Sequence, residues 1–269
     1  MDSPWAPDLA LATRLADTAD LLTMSRFRAT DLVVSTKPDL TPVTEADRGA
    51  EEALRAILAA ERPDDAVRGE EGADTGSSSR TWVLDPIDGT KNYVRGVPVW
   101  ATLIALVVDG TPVMGVVSAP ALARRWWAAT GGGAFTRDVD GSERALRVSA
   151  VARLEDASFS YSDPVGWDDV AVSGLDCSQG LQALLNRCWR SRAYGDFWSH
   201  LLVAEGAVDV AAEPQLNPWD IAALIPIVVE AGGRCTGYDG SSAYSGASIV
   251  SGLSTNGLVH DSVIELLRP

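Results

Sequence analysis

The stretch Trp82-Val83-Leu84-Asp85-Pro86-Ile87-Asp88-Gly89-Thr90 decides the fold and chemistry that the sequence indicates. Its apolar part predicts a buried strand that delivers Asp85 to its carboxyl end, and Pro86 predicts a turn there. Gly89 and Thr90 then predict a helix start. Carboxylates on one turn are ligands for hard divalent cations, and free N–H groups at a helix start bind anions. The stretch therefore indicates a metal site beside an anion site, as phosphate chemistry requires.

Two further segments supply carboxylates of the kind such a site needs. Glu70 follows Gly69 at the edge of a Gly/Ser-rich loop, and Asp220 follows Pro218-Trp219 at a predicted helix start. A two-metal phosphatase needs several carboxylates at one point, a positioned water and donors for the phosphoryl oxygens. Glu70 and Asp220 therefore join the two aspartates as candidate metal ligands, and the Ile87 carbonyl is a neutral oxygen candidate.

The Thr90 hydroxyl and the Asp47 carboxylate are candidate catalytic groups. Thr90 could orient the attacking water, and Asp47 could accept the threonine proton. Each motif also has a purely structural interpretation: Asp85-x-x-Asp88 as a polar turn, and Asp47 and Asp220 as helix-capping residues. The occurrence of all these motifs in one chain favours the catalytic interpretation.

Composition narrows the class of partner. The chain has 269 residues, with 37 acidic and 22 basic side chains and a formal net charge of −15. This charge argues against nucleic acid or an anionic membrane surface as a partner, whereas bound cations would still allow a phosphorylated small molecule. Cys177, Cys188 and Cys235 form an odd set without metal-ligand spacing, and residues 1–30 show no targeting pattern. We therefore expect a cytoplasmic protein that acts on a small molecule.

The apolar patterns predict two different halves. Residues 1–145 indicate helices, including Glu45 to Leu58, against a mostly antiparallel sheet with a hairpin turn at Asp109-Gly110. Residues 146–269 alternate between strands and helices, including a helix from Pro218 to Glu230, which favours an α/β layer. Because no linker separates the halves, residues 1–269 are predicted to form a single domain of α/β (α+β) class.

Several motifs together resemble the signatures of the inositol monophosphatase family. The three main ones are Gly69-Glu70-Glu71, Asp85-Pro86-Ile87-Asp88-Gly89-Thr90 and Pro218-Trp219-Asp220-Ile221-Ala222-Ala223. Weaker likeness extends to Lys37-Pro38-Asp39, Val43-Thr44-Glu45-Ala46-Asp47 and Glu230-Ala231-Gly232-Gly233, so the resemblance spans essentially the whole chain. It implies a layered α-β-α-β-α sandwich, commonly a homodimer. It also implies metal-dependent, lithium-sensitive hydrolysis of a phosphate monoester.

The resemblance also assigns roles by position. The implied ligands of two or three Mg²⁺ ions, which Mn²⁺ could replace, are Glu70, Asp85, the Ile87 carbonyl, Asp88 and Asp220. Thr90 with Asp47 behind it, and Glu70 nearby, would activate the attacking water. The amides of Gly89 and Thr90 would hold the phosphate.

Substrate choice is expected on the side of the leaving group. The family places contacts there at positions that correspond to Arg192, Asp196 and Glu213. Asp196 departs from inositol-preferring members, which carry small or hydroxyl residues near this point. A further carboxylate suits a cationic leaving group, although Asp196 could instead only cap a helix that begins near Phe197. Asn92 is no more than a loop candidate.

Two stretches point to one branch of the family. Residues 88–106 and the segment Arg192-Ala193-Tyr194-Gly195-Asp196-Phe197 resemble members that hydrolyse L-histidinol phosphate, an ester that carries an amine and an imidazole. Hydrolysis of this ester in histidine biosynthesis is therefore the expected activity. The alternatives are a family member acting on inositol monophosphate, fructose 1,6-bisphosphate or a phosphoadenosine nucleotide, and a non-catalytic phosphate-binding regulatory protein.

Overall fold

The computed structural model describes residues 3–37, 40–170, 176–246 and 249–268. Its helices, numbered in chain order, are α1 Ala6–Arg26, α2 Glu45–Glu61, α3 Thr90–Arg95, α4 Ser178–Arg187, α5 Asp196–Ala204, α6 Pro218–Ile221, α7 Leu224–Glu230 and α8 His260–Leu267. Its strands are β1 Val34–Thr36, β2 Pro42–Thr44, β3 Ala66–Gly69, β4 Arg80–Asp88, β5 Ala101–Val108, β6 Thr111–Ala119, β7 Arg124–Ala129, β8 Ala134–Arg137, β9 Glu143–Ala145, β10 Ser158–Ser160, β11 Arg190–Arg192, β12 Val210–Leu216, β13 Arg234–Thr236 and β14 Val250–Thr255.

The larger sheet lies in the first half of the chain. Within the described ranges it has seven strands in the order β3-β4-β5-β6-β7-β8-β9. Only β3 and β4 run parallel, and the remaining neighbours are antiparallel, as the sequence predicts. Asp109 and Gly110 join β5 to β6 with φ angles of 49° and 77°, the backbone that a two-residue hairpin turn needs.

Helices α1 and α2 cover one face of this sheet. Leu11 and Leu15 of α1 and Leu54 of α2 pack against Trp82 and Ile104 of the sheet. Thr44 and Asp47 form a capping box at the start of α2, so the predicted cap is confirmed. Loss of a buried leucine such as Leu54 would cost roughly 2–5 kcal/mol of stability, since the site is closed on all sides.

The smaller sheet lies in the second half. Its five strands, counted over the part of the chain that the structure describes, have the order β11-β10-β12-β14-β13. Strands β11, β10 and β12 are parallel, and β14 is antiparallel to β12 and β13. Leu184 of α4 and Val263 of α8 pack with Phe159 and Val210 on its outer face. The alternating pattern of the sequence therefore did predict an α/β layer.

Helices α5, α6 and α7 lie between the two sheets. Phe197, Ile221 and Ile227 pack against Val117 and Trp126 of the larger sheet. Strand β6 approaches this layer very closely, because a Cβ on Gly115 would meet the Ala223 carbonyl oxygen at 2.1 Å. The molecule is thus an α-β-α-β-α sandwich, and the middle layer brings the chain after Asp220 directly against the larger sheet.

Two local predictions differ from the structure. The helix expected from Pro218 to Glu230 is interrupted between α6 and α7, since Pro226 has no N–H to donate to the Ala222 carbonyl. The turn expected at Pro86 is a β-bulge, and β4 continues to Asp88. The sequence also predicts a strand from Ala247 to Val250, and its first two residues lie outside the described residues. Among the described ranges, no helix has the length and apolar character needed to cross a bilayer.

Candidate active site

A cluster of carboxylates, here called the acidic corner, is formed by Asp85, Asp88 and Asp220. One carboxylate oxygen from each lies within 4.8 Å of the others. Alternate side chains on a regular strand point to opposite faces, so residues 85 and 88 would normally diverge. Between the pairs Asp85–Leu103 and Asp88–Ala101 the bulge adds one residue to β4, which brings both aspartates to the same side. The start of α6 supplies Asp220 from the middle layer.

Backbone hydrogen bonds fix two of these carboxylates. The Asp220 Oδ2 atom accepts the Asn217 N–H at 2.7 Å and so completes a capping box for α6. The Asp88 Oδ2 atom accepts the N–H of Phe197, in the first turn of α5, at 2.7 Å. Each of these side chains therefore has one oxygen committed to the fold.

The acidic corner is electrostatically incomplete as a purely protein structure. Burial raises the pKa of Asp85 well above its usual range, and the negative charges of Glu70, Asp88 and Asp220 raise it further. Burial likewise raises the pKa of Asp88 and of Asp220. The Asp85 Oδ1 atom is buried without a hydrogen-bond partner. A divalent cation would offset these charges and occupy that oxygen, and an all-oxygen donor set suits a hard ion.

Glu70 lies at the edge of the corner, where it contacts both Asp85 and a lysine. Burial raises the pKa of its carboxyl, and the neighbouring Lys37 offsets part of that rise. The Lys37 Nζ atom lies 2.6 Å from an oxygen of Glu70 and 2.6 Å from an oxygen of Glu71. Lys37 entered the sequence analysis only as part of a motif, so this cation next to the site was missed.

Thr90 and Asp47 meet on the other side of the bulge. The Thr90 hydroxyl lies 3.0 Å from the Ile87 carbonyl oxygen and 3.4 Å from the Asp47 Oδ1 atom. The other Asp47 oxygen accepts the Thr44 N–H at 2.8 Å. Asp47 therefore caps α2 with one oxygen and faces Thr90 with the other, and burial raises its pKa.

Gly89 precedes α3 in a conformation that favours glycine. Its φ angle is 83°, and a Cβ at this position would lie 3.0 Å from the Val99 carbonyl oxygen and 3.2 Å from the Asp196 Oδ2 atom. A side chain would therefore crowd the Val99 backbone, just before β5, and the Asp196 carboxylate. The Asp196 carboxylate lies directly over the turn that the sequence assigns to phosphate.

A second group of polar side chains, here called the carboxylate wall, comprises Ser162, Asp196 and Glu213. The Ser162 Oγ atom accepts the Asp196 N–H at 2.7 Å and donates to the Glu213 carboxylate at 2.6 Å. The Asn92 Nδ2 atom donates to the Asp196 Oδ2 atom at 3.0 Å. Glu213 is only 5% exposed. Burial raises its pKa to about 8, and the charge of Asp196 contributes.

Asp196 and Arg192, both predicted to contact substrate, have different surroundings in the structure. Gly195 is the N-cap of α5, so the capping alternative for Asp196 does not describe its side chain. Arg192 lies exposed on the edge strand β11, where its guanidinium donates to the Ser191 carbonyl at 2.7 Å. Its contact with substrate stays a prediction.

Residues 5–268 match the inositol monophosphatase family. The chain belongs to this family. It is 57% identical to a histidinol-phosphatase of Mycobacterium tuberculosis over 97% of this chain and 98% of that one. It is 54% identical to a histidinol-phosphatase of Streptomyces coelicolor, with 98% of each chain covered. The family and fold expected from the sequence are therefore confirmed.

Solved structures give the same result for the fold. An IMPase from Thermotoga maritima superimposes with a TM-score of 0.83 at 32% identity, over 97% of this chain and 96% of that one. An inositol monophosphatase from Zymomonas mobilis gives a TM-score of 0.84 at 31% identity, over 98% and 99%. The acidic corner of this chain thus lies within the fold of a metal-dependent phosphatase family.

Proposed function

We propose that the ester hydrolysed by this phosphomonoesterase is L-histidinol phosphate, with L-histidinol and phosphate as products. The observation that carries the proposal is the carboxylate wall beside the acidic corner. Ser162 accepts the backbone N–H of Asp196 and donates to the Glu213 carboxylate, so the two acidic residues lie together, with Asp196 next to Asp88 of the corner. A leaving group with an amine and an imidazole matches two such groups, and two relatives above 50% identity bear the name histidinol-phosphatase.

The proposed metal ligands are Glu70, Asp85, the Ile87 carbonyl, Asp88 and Asp220, and the proposed cofactor is two or three Mg²⁺ ions, which Mn²⁺ could replace. When bound, these cations supply Lewis acidity that activates water and offsets the charge developing on the leaving oxygen. The unpartnered Asp85 oxygen and the mutual repulsion of the corner support this assignment. A family member that only binds phosphate would have no need for such a closely spaced set of carboxylates.

The chain's own groups position the reactants. We propose that the Thr90 hydroxyl orients the attacking water. The hydroxyl oxygen can accept a proton of the water while its own O–H donates to the Asp47 Oδ1 atom at 3.4 Å. Glu70, at the edge of the corner, would help to activate the same water. The N–H groups of Gly89 and Thr90 would hold the phosphoryl oxygens, because they open α3. Arg192 would contact substrate only if its side chain leaves the Ser191 carbonyl.

A substrate panel tests the proposal. With Mg²⁺ present, kcat/KM for L-histidinol phosphate should exceed that for inositol 1-phosphate and for β-glycerophosphate by at least tenfold. Asp196→Ala should reduce this preference, because the carboxylate that favours a cationic ester is lost. Higher turnover of inositol 1-phosphate than of L-histidinol phosphate would overturn the substrate assignment and leave the phosphatase assignment intact.

The proposal also places the enzyme in the cytoplasm as a homodimer. The described cysteines are unpaired, as expected in a reducing compartment. Light scattering on the purified protein measures the assembly state, and a monomer at micromolar concentration would contradict the dimer.

A further inference from the structure

Asn92 connects the phosphate turn to the carboxylate wall. Its side-chain amide has two N–H donors, and each has a partner. One goes to the Val99 carbonyl oxygen at 2.9 Å, and the other to the Asp196 Oδ2 atom at 3.0 Å. With both donors engaged, the plane of the amide is fixed. Asn92 therefore presents one N–H to the Asp196 carboxylate in a set direction.

Asp196 needs such a donor because its position is unfavourable. Its φ angle is 49°, a left-handed backbone conformation that side chains other than glycine rarely adopt. Its carboxylate is desolvated by burial and also lies close enough to Asp88 for the two charges to repel. Strained residues persist where surrounding contacts over-determine them. Here Ser162 holds the backbone N–H and Asn92 holds the carboxylate.

Space around the carboxylate is limited on the remaining sides. The Asp196 Oδ2 atom lies 3.2 Å from the position of a Cβ on Gly89, so this oxygen lies against the glycine turn. The Oδ2 atom is therefore enclosed by the turn and by Asn92. Since Asn92 holds Oδ2, the orientation of the other oxygen toward a ligand follows from this single hydrogen bond.

We propose that Asn92 is a positioning residue that orients Asp196 toward the cationic group of the leaving alcohol, and so sets substrate preference without touching substrate. The inference rests on the proposed function, since it assumes that the preferred ester is cationic. Asn92 lies in α3, in the first half of the chain, whereas the residues of the carboxylate wall come from the second half. A residue of one half would thus adjust substrate discrimination by the other.

The test compares Asn92→Ala with a matched control. Asn256→Ala removes another buried amide, whose two donors bond to Ser149 and to the Val151 carbonyl far from the wall. Steady-state kinetics with L-histidinol phosphate and with β-glycerophosphate, at saturating Mg²⁺, give the preference ratio for each variant. Asn92→Ala should lower the ratio about tenfold, and Asn256→Ala should leave it unchanged even if it lowers the melting temperature.

The loss should appear mainly in KM for L-histidinol phosphate. A contact to a remote cationic group is made in both the ground state and the transition state, so its loss raises KM more than it lowers kcat. In an Asp196→Ala background, Asn92→Ala should cause no further change in the ratio, because the group that it positions is gone.

Three outcomes would overturn the inference. They are an equal loss on both esters, a selective loss that persists in the Asp196→Ala background, and a selective loss confined to kcat. Wild-type enzyme without a preference for L-histidinol phosphate would instead overturn the proposed function. The two failures are therefore distinguished by the wild-type ratio alone.

Discussion

The acidic corner and the carboxylate wall both contain closely placed acidic side chains, and the surroundings of these side chains differ. In the corner, Asp85, Asp88 and Asp220 face one another within 4.8 Å, and Asp85 has an oxygen without a partner. In the wall, Asp196 and Glu213 each accept a hydrogen bond, from Asn92 and Ser162 respectively. The corner therefore lacks positive charge, whereas the wall is already hydrogen-bonded and can receive a single cationic group.

The difference lies in how closely the carboxylates converge, since Asp88 and Asp220 of the corner also accept hydrogen bonds, from the Phe197 and Asn217 N–H groups. Carboxylates that converge on one point repel one another, and a small, hard cation offsets that repulsion. A carboxylate that stands apart from other acidic groups can pair with a single cationic group such as an ammonium or imidazolium. Under the proposed function, the corner would carry the reaction and the wall would recognise the leaving group.

The largest expected effect is at the corner. Asp85→Asn should lower kcat/KM by about 10³-fold or more on every monoester, because it weakens metal binding and the stabilisation of developing charge. Steady-state kinetics with L-histidinol phosphate and β-glycerophosphate measure it. A loss confined to one ester would mean that the corner takes part in recognition, and the comparison would fail.

The same variant should stabilise the metal-free protein. Removing one charge relieves the repulsion that raises the pKa values of the corner, so the melting temperature in EDTA should rise. Asp209→Asn is the matched control, since Asp209 is a buried carboxylate that accepts the Ser158 N–H away from the corner. It should lower the melting temperature and spare kcat.

Thr90→Val should have the next largest effect. The substitution keeps the shape of the side chain and removes the hydroxyl that links the reaction to Asp47, so kcat should fall about 10²-fold on both esters. Thr136→Val is a suitable control, because the Thr136 hydroxyl bonds only within the larger sheet. A rise in KM without a fall in kcat would show that Thr90 binds substrate and does not act on the water.

Glu213→Gln tests the wall. The variant keeps the shape and removes the charge that Glu213 carries above pH 8, so at pH 8.5 kcat/KM should fall about tenfold for L-histidinol phosphate and less than threefold for β-glycerophosphate. Glu230→Gln provides the comparison, as Glu230 accepts two backbone N–H groups at an exposed turn. Equal losses on the two esters would show that Glu213 does not set substrate specificity.

The smallest effect is a dependence on pH. Burial raises the pKa of Glu213 to about 8, so the carboxyl is largely neutral at pH 7 and becomes ionised as the pH rises through 8. Between pH 7 and pH 8.5, kcat/KM for L-histidinol phosphate relative to β-glycerophosphate should therefore rise about fivefold. The profile of Glu213→Gln should be flat over this range, and a parallel rise in that variant would assign the effect to another group.

The sequence predicted the parts of the site that depend on local order. Asp85 and Asp88 belong to one strand end, and the capping box of Asp47 follows from three-residue spacing at Thr44. Lys37 between Glu70 and Glu71 was not predictable, because a long flexible side chain reaches its partners only in the assembled fold.

The contact between Asn92 and Asp196 also could not be predicted from the sequence. The two residues are 104 positions apart, and the contact depends on how the middle layer seats against the larger sheet. The interruption of the 218–230 helix, by contrast, had a visible signal in Pro226. The bulge that aligns Asp85 with Asp88 required the register of β5, which no local pattern gives.

Three aspartates at the site each use one oxygen to hold backbone: Asp47 at Thr44, Asp88 at Phe197 and Asp220 at Asn217. Their rotamers are consequently fixed when the chain folds. Binding of a cation would therefore not require these side chains to become ordered. A charge-preserving change to glutamate would place the carboxylate one methylene too far to serve both tasks. Side-chain length at these positions is therefore constrained as tightly as charge.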